Sequence, residues 1–209
     1  MGEMILPVPK KGHPPSEGFC NIFERYLPHA SAMGQAEQNL FFASLVAEIK
    51  QLPARTEVKS VLMAAMNLTI LGLVPGRVLG HAYLVPYRNN CQVIVGYQGY
   101  LELAFRNEFL SICHPPQLVL EGEEFSRWND EQGNHFRHEP SLNPPEATRQ
   151  NVLGAYVSYK TKLGGHGYSF TSREEIDKID TAKNVWASDY AAMCLKTPIR
   201  RAAKVWKKS

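Results

Sequence analysis

Between residues 35 and 52, Leu40, Phe41, Ala43, Leu45, Val46 and Ile49 recur at mixed three- and four-residue spacings. That is the period of a helix, and Pro53 ends it. A second helix is expected over 57–71, with Val61, Leu62, Ala65, Leu68 and Leu71 in one apolar stripe, Thr56 as N-cap and Gly72 as C-cap. The pattern then shortens. Residues 81–87 and 91–96 are two short β-rich runs about Arg88-Asn89-Asn90, which predicts a hairpin. Helical spacing returns over 96–107 with Leu101, Leu103, Ala104 and Phe105. Residues 110–120 are expected to be strand, with a break or an edge position at Pro115 and Pro116. Residues 121–145 are loop-like, with one strand at 134–138. Residues 152–163 alternate as a strand, Gly164-Gly165 turns the chain, and 167–171 is the next strand. Ser172 before Arg173-Glu174-Glu175 predicts a capping-box start, and the last segment, 187–206, is expected to be helical. The order defines an α+β protein: N-terminal helices, a central β-hairpin and antiparallel sheet with an inserted helix, and a C-terminal basic helix. Residues 1–17, with four prolines, are expected to be a flexible N-terminal arm, and 18–209 a single domain.

The composition is that of a globular chain: 44% hydrophobic and 21% charged over 209 residues. A net charge of +3 does not by itself mark a nucleic-acid binder, but the charges are clustered. Residues 121–146 carry seven acidic and two basic residues, whereas 183–208 carry seven basic and one acidic, Asp189. Field strength follows such clustering, so the C-terminal end is a candidate anion-binding surface. Cys20, Cys91, Cys113 and Cys194 form no C-x-x-C pair, which favours reduced thiols over a disulfide framework or a zinc site. No apolar run approaches the roughly 20 residues of a membrane span, and the first residues lack the apolar stretch of a signal peptide. A cytoplasmic protein without membrane contact is expected.

Several chemistries find little footing. There is no G-x-x-x-x-G-K-[ST] phosphate loop, which argues against an ATP-driven recombinase or helicase. Gly96-Tyr97-Gln98-Gly99 lacks a third glycine and carries a bulky Tyr97, so a tight strand-to-helix turn is preferred to a nucleotide-binding one. His135 and His138 could be two metal ligands, but no third is in view. Glu121, Glu123 and Glu124 could be nuclease carboxylates, yet a solvated face is the better reading. The positive signal is the C-terminal helix. At about 100° per residue, Ala192, Leu195, Ile199, Ala202, Ala203 and Trp206 share one arc, and Lys196, Arg200, Arg201, Lys204, Lys207 and Lys208 the neighbouring one. No acidic side chain interrupts residues 196–209, so the strip repels itself until phosphates or solvent relieve it. A second surface combines Arg77, His81, Tyr83, Tyr87, Arg88, Tyr97, Tyr100 and Arg106, with Glu102 as the one carboxylate. Cations interleaved with aromatic rings suit a single strand, although such tyrosines equally serve as core. Tyr97 and Tyr100 project to one side of their helix; Arg106 falls elsewhere and belongs to a separate contact or to structure.

The series Arg25-Tyr-Leu-Pro28, Leu71-Gly-Leu-Val-Pro-Gly76, Gly80-His-Ala-Tyr-Leu-Val-Pro-Tyr87, Val93-Ile-Val-Gly-Tyr-Gln-Gly-Tyr-Leu-Glu-Leu-Ala-Phe-Arg106, Glu121-Gly-Glu-Glu-Phe125 and Trp186-x-x-Asp189-x-x-x-Met193-x-x-Lys196-Thr-Pro-Ile-Arg-Arg201 resembles the RecT family of phage-type annealing proteins. The resemblance runs from about Arg25 to Trp206. It implies a single-stranded DNA-binding protein that anneals complementary strands without ATP or another cofactor. It further implies a homo-oligomer, ring or helical filament, acting on single strands and annealed duplex beside a 5′-to-3′ exonuclease. It also implies a phage- or prophage-encoded protein in a bacterial host cell. The DNA-binding residues expected are Lys196, Arg200, Arg201, Lys204, Arg77, Arg88, Tyr97, Arg106, Lys160 and Lys162. Two other readings make different predictions: a metal-dependent nuclease of a phage recombination system, and a structural phage protein that does not bind DNA. Pro198 departs from the family pattern, and either sits inside the last helix or starts a new one behind a Thr197 cap. Family members commonly continue past the position of Trp206 into a region used for partner proteins, so partner binding by that route is not expected of this sequence.

Overall fold

The computed structural model describes residues 34–131, 133–181, 183 and 185–206. The arm expected at 1–17, the Arg25-Tyr-Leu-Pro28 motif, Lys207 and Lys208 lie outside the described residues. The chain divides after Val95 into two compact units.

In the first unit, α1 (Gln35–Ile49) buries Phe41 and Leu45, and α2 (Val58–Leu71) buries Val61, Ala64, Ala65 and Leu68. Thr56 does not cap α2: the N-cap is Glu57. The Glu57 N–H is tied to the Asn89 carbonyl at 2.7 Å, and the Thr56 N–H turns back to Pro53 at 2.9 Å, which keeps Thr56 in the preceding turn. Gly72 ends α2 as expected, at φ 61°, a conformation that only glycine adopts without steric cost. The hairpin is β1 (Ala82–Tyr87) with β2 (Asn90–Val95), joined by Arg88 and Asn89. Alternation puts Ala82 and Leu84 inside with Cys91, and Tyr83 and Tyr87 on the outer face.

The second unit is organised about one strand, β7 (Val152–Thr161). On one side it pairs with β8 (His166–Ser172); on the other, β4 (Gln117–Leu120) covers its first half and β3 (Leu110–Cys113) its second. β3 and β4 therefore form one interrupted edge strand. The break falls at Pro115 and Pro116, which have no N–H to offer the ladder, as expected. From Gly154 onward the even-numbered residues of β7 face one way and the odd-numbered ones the other, while a register irregularity at Leu120 turns Val152 to the same side as Ala155. Ala155, Val157 and Tyr159 take the face covered by α3 (Tyr97–Phe105) and α6 (Tyr190–Ala203). Leu101, Ala104, Leu110, Cys113, Val157, Ile199, Ala202 and Trp206 form one core there, and Val152, Ala155, Ile176, Trp186, Tyr190 and Cys194 build another with Leu120.

Residues 121–145 are not a loop with a single strand. They contain a full hairpin, β5 (Glu124–Asp130) and β6 (Gly133–Glu139). Its inward positions carry Phe125 and Arg127 opposite His138 and Phe136. Phe125 stacks on Phe170 at 4.9 Å between ring centroids, and the Arg127 guanidinium lies 4.9 Å from the centroid of the same Phe170 ring. Phe136 packs on Tyr156 and Tyr168. An arginine at an inward strand position hides the alternation that would have announced β5. Gly154 makes room for this layer: a Cβ there would lie 2.6 Å from the Phe170 ring and 2.7 Å from the Thr171 carbonyl.

Ser172 caps α4 (Arg173–Asp177) with the expected reciprocal box. The expected helix over 187–206 is two pieces, α5 (Val185–Ser188) and α6, because the Asp189 carboxylate accepts the Ala192 N–H at 3.2 Å and starts a new helix. α6 runs unbroken through Pro198. Thr197 starts no new helix; its hydroxyl donates to the Met193 carbonyl at 3.0 Å. Tyr190, Cys194, Pro198 and Ala202 recur every four residues and are buried together. The apolar face of α6 is thus wider than the arc predicted for it, and its burial outweighs the hydrogen bond lost at proline.

Candidate nucleic-acid interface

The same four-residue recurrence, on the next face of α6, aligns Lys196, Arg200 and Lys204. With Arg201, Met193 and Thr197 they form one wall of a cleft of about 370 Å³, and Ile179 and Trp186 form the other. All four predicted C-terminal cations are therefore brought together, against an apolar and aromatic wall. Among the described residues Lys196, Arg200 and Lys204 have no ion pair, while Arg201 pairs with Glu175 at 2.8 Å. Lys196 is half-buried. Burial first, and then the neighbouring Arg200, pull its ammonium down to about 8. A cation held partly out of water beside other cations favours an anionic occupant. Burial raises the Tyr100 phenol, and the charge of Arg200 opposes that rise.

The far wall is held by a residue not singled out from the sequence. Arg149, between β6 and β7, donates to both carboxylate oxygens of Asp180 at 2.6 and 3.2 Å and to the Trp186 carbonyl at 2.5 Å. Its guanidinium lies 4.7 Å from the centroid of the Tyr190 ring. Arg149 is thus occupied structurally. No local motif marks it, because its partners are about 30 residues or more away in the chain. Glu175 was legible only as a helix cap. Its side chain takes the Ser172 N–H at 3.0 Å and Arg201 at 2.8 Å; these bonds overcome the upward push of burial and hold its carboxyl below the usual range.

The other predicted residues are dispersed. Tyr97 and Tyr100 are half-buried against the core that contains Leu101 and Trp206. The Tyr97 hydroxyl accepts a hydrogen bond from Gln98 at 3.0 Å. Arg106 pairs with Glu102, one turn back, at 2.7 Å. Lys160 lies on the face of β7 opposite to α6, and Lys162 is exposed in the turn that follows; neither lines the cleft. Arg77 and Arg88 belong to the first unit, both exposed. Arg88 holds φ 56° at the hairpin tip, 5.7 Å from the centroid of the Tyr87 ring. A side chain in that region of φ is uncommon and locally costly.

His135 and His138 form no metal pair. His135 bonds Asp130 at 2.8 Å and stacks on Trp128, while buried His138 reaches Tyr156 and Glu123 on the other face of the hairpin. Glu123 is not on a solvated face: it is buried and accepts the N–H groups of Leu120 and Ser141 at 2.7 and 3.0 Å. Among the described residues no group of three or more His, Cys, Asp or Glu side chains is placed to hold a metal. No described helix is long and apolar enough to cross a membrane.

The second unit is thus an α+β unit whose cleft gathers four cations beside Trp186, Ile179 and Met193. The chain belongs to the RecT family, whose model matches residues 39–209. It is 30% identical over 172 residues to Protein RecT of Escherichia coli (strain K12), a match covering 75% of this chain and 62% of that protein. It is 28% identical over 164 residues to the uncharacterized protein YqaK of Bacillus subtilis (strain 168), covering 75% of this chain and 54% of that one. The matches thus span somewhat more than half the length of these relatives.

Proposed function

We propose that this chain binds single-stranded DNA and anneals complementary strands without ATP or another cofactor, in phage-type homologous recombination. The observation that carries the reading is the α6 cleft, in which Lys196, Arg200 and Lys204 have no carboxylate partner among the described residues beside the Trp186 wall. Such a surface engages phosphates and leaves sequence recognition to base pairing. Cations also screen the repulsion between two approaching backbones. Tyr97, Arg106, Lys160 and Lys162 are further DNA contacts of the second unit, with Tyr97 offering a ring to a base, and Arg77 and Arg88 are contacts made by the first unit by itself. The annealing domain is 18–209, working as a homo-oligomeric ring or helical filament on single strands and annealed duplex. A 5′-to-3′ exonuclease supplies the strands, and the protein, phage- or prophage-encoded, works in the cytoplasm of a bacterial host cell.

The test mixes two complementary labelled oligonucleotides with the protein, without nucleotide, and follows duplex formation. Acceleration over the protein-free rate is expected. Pairing that appears only with ATP refutes the reading, and Mg²⁺-dependent loss of a labelled strand replaces it with a nuclease. For the site, Arg200→Ala with Arg201→Ala weakens binding to unrelated sequences alike. The log–log salt slope falls by about 0.7 or more, the value of one phosphate contact on a single strand.

A further inference from the structure

Arg201 differs from the other cations of the cleft. Its guanidinium donates to Glu175 at 2.8 Å, whereas Lys196, Arg200 and Lys204 have no carboxylate among the described residues. Glu175 does not itself line the cleft, and it is not free to swing away. Its second carboxylate oxygen accepts the Ser172 N–H at 3.0 Å, and its own N–H returns to the Ser172 hydroxyl at 3.4 Å. The capping box of α4 thus pins a carboxylate against one edge of the cleft, where it accepts a hydrogen bond that Arg201 would otherwise give to a phosphate. Carboxylate and phosphate oxygens present similar acceptors to guanidinium, so each can replace the other there. The ion pair is about 40% exposed on both sides, so solvent screens it and a phosphate can displace it.

We propose that Glu175 is a positioning residue that acts as a built-in phosphate surrogate: it orients Arg201 toward the cleft and cancels its charge, which tempers the hold on a bound strand. The inference rests on the cleft being the DNA site. In the wild-type protein Arg201 then adds hydrogen bonds but no net charge, and the salt dependence is set by the remaining cations.

The test is fluorescence anisotropy with a labelled oligothymidylate over a salt titration, on the full chain. Glu175→Gln keeps an acceptor for Arg201 or Ser172 and removes the charge. It is expected to steepen the log–log salt slope by about 0.7 and tighten binding about five-fold near 0.1 M salt, the counterion-release value of one further phosphate contact. Adding Arg201→Ala to Glu175→Gln deletes the pair without changing net charge and returns the slope to the wild-type value. Ser172→Ala weakens the same helix cap but keeps the carboxylate, so it lowers the melting temperature without steepening the slope. If Glu175→Gln melts too early, Glu175→Ala at reduced temperature carries the same expectation. An unchanged or shallower slope in a folded Glu175 variant overturns the proposal. Arg200→Ala separates the two levels: if it lowers the slope while Glu175→Gln fails to raise it, the cleft stands and the surrogate falls. If neither variant moves the slope, the cleft is not the binding site.

Discussion

Replacing Lys196 with methionine should make the protein more stable and a poorer DNA binder at the same time. Burial and Arg200 together bring the Lys196 ammonium from 10.5 to about 8. At about 1.4 kcal/mol per unit, holding that charge in the fold at pH 7 costs at most about 3.5 kcal/mol relative to the unfolded chain, and less to the extent that solvent screens this half-buried group. Lys196→Met keeps the stem that packs along the cleft and removes the charge, so it recovers up to that amount and raises the melting temperature by several degrees. The sign with pH follows from the lowered folded value. Below pH 8 both states carry the proton and the cost is constant; between about 8 and 10.5 the unfolded chain holds a proton that the folded chain has released. Wild-type stability therefore rises through that window, and the Lys196→Met profile lacks the rise. Binding runs the other way, because phosphate stabilises the ammonium that the empty cleft destabilises. Wild-type affinity for a single strand should fall about ten-fold from pH 7 to pH 9, while Lys196→Met binds more weakly at pH 7 and shows no such fall. The two proteins differ only at residue 196, so the difference between their profiles isolates Lys196. Thermal melts and anisotropy titrations at half-unit intervals make the comparison. A variant that melts below wild type at pH 7, or that keeps the fall in affinity, refutes the reasoning.

Gly154→Ala places a methyl group against the Phe170 ring and the Thr171 carbonyl, and since the latter is backbone it cannot move aside cheaply. A loss of about 1–3 kcal/mol is expected in denaturant titration. Tyr97→Ala should cost about 1–3 kcal/mol of single-strand affinity if the ring stacks on a base, and Tyr97→Phe little; if the ring serves only the core, the alanine variant loses melting temperature and keeps its affinity. Glu123 is buried, which alone would raise its carboxyl, but the Leu120 and Ser141 N–H groups and His138 outweigh that and hold it below its usual 4.5. Its stabilisation is present above that ordinary value and disappears as pH falls through the lowered one, so an acid melt of Glu123→Gln should lack this part of the wild-type loss.

Local patterns were sufficient wherever the determining interaction lies within a few residues. The helix ending at Gly72, the hairpin about Arg88, the Ser172 capping box and the proline break in the edge strand all depend on backbone preference or on partners at most a few positions away, and each was legible. The charge strip on the last helix was legible for the same reason, since 196, 200 and 204 share a face of any α-helix. What the strip faces was not. Ile179 and Trp186 close the cleft because Arg149 ties Asp180 and the Trp186 carbonyl together, and no period in the chain encodes a contact 31 or 37 residues long. The β5–β6 hairpin escaped because Arg127 occupies an inward position and satisfies it by lying over Phe170, a partner 43 residues away. Pro198 shows tertiary packing overruling local preference: every fourth residue from Tyr190 to Ala202 is buried, and that burial keeps the helix continuous through a residue that would break it in isolation. The cations were written in the sequence; which of them stand free, which is neutralised by Glu175 and which is half-withdrawn from water were decided only when distant segments closed around them.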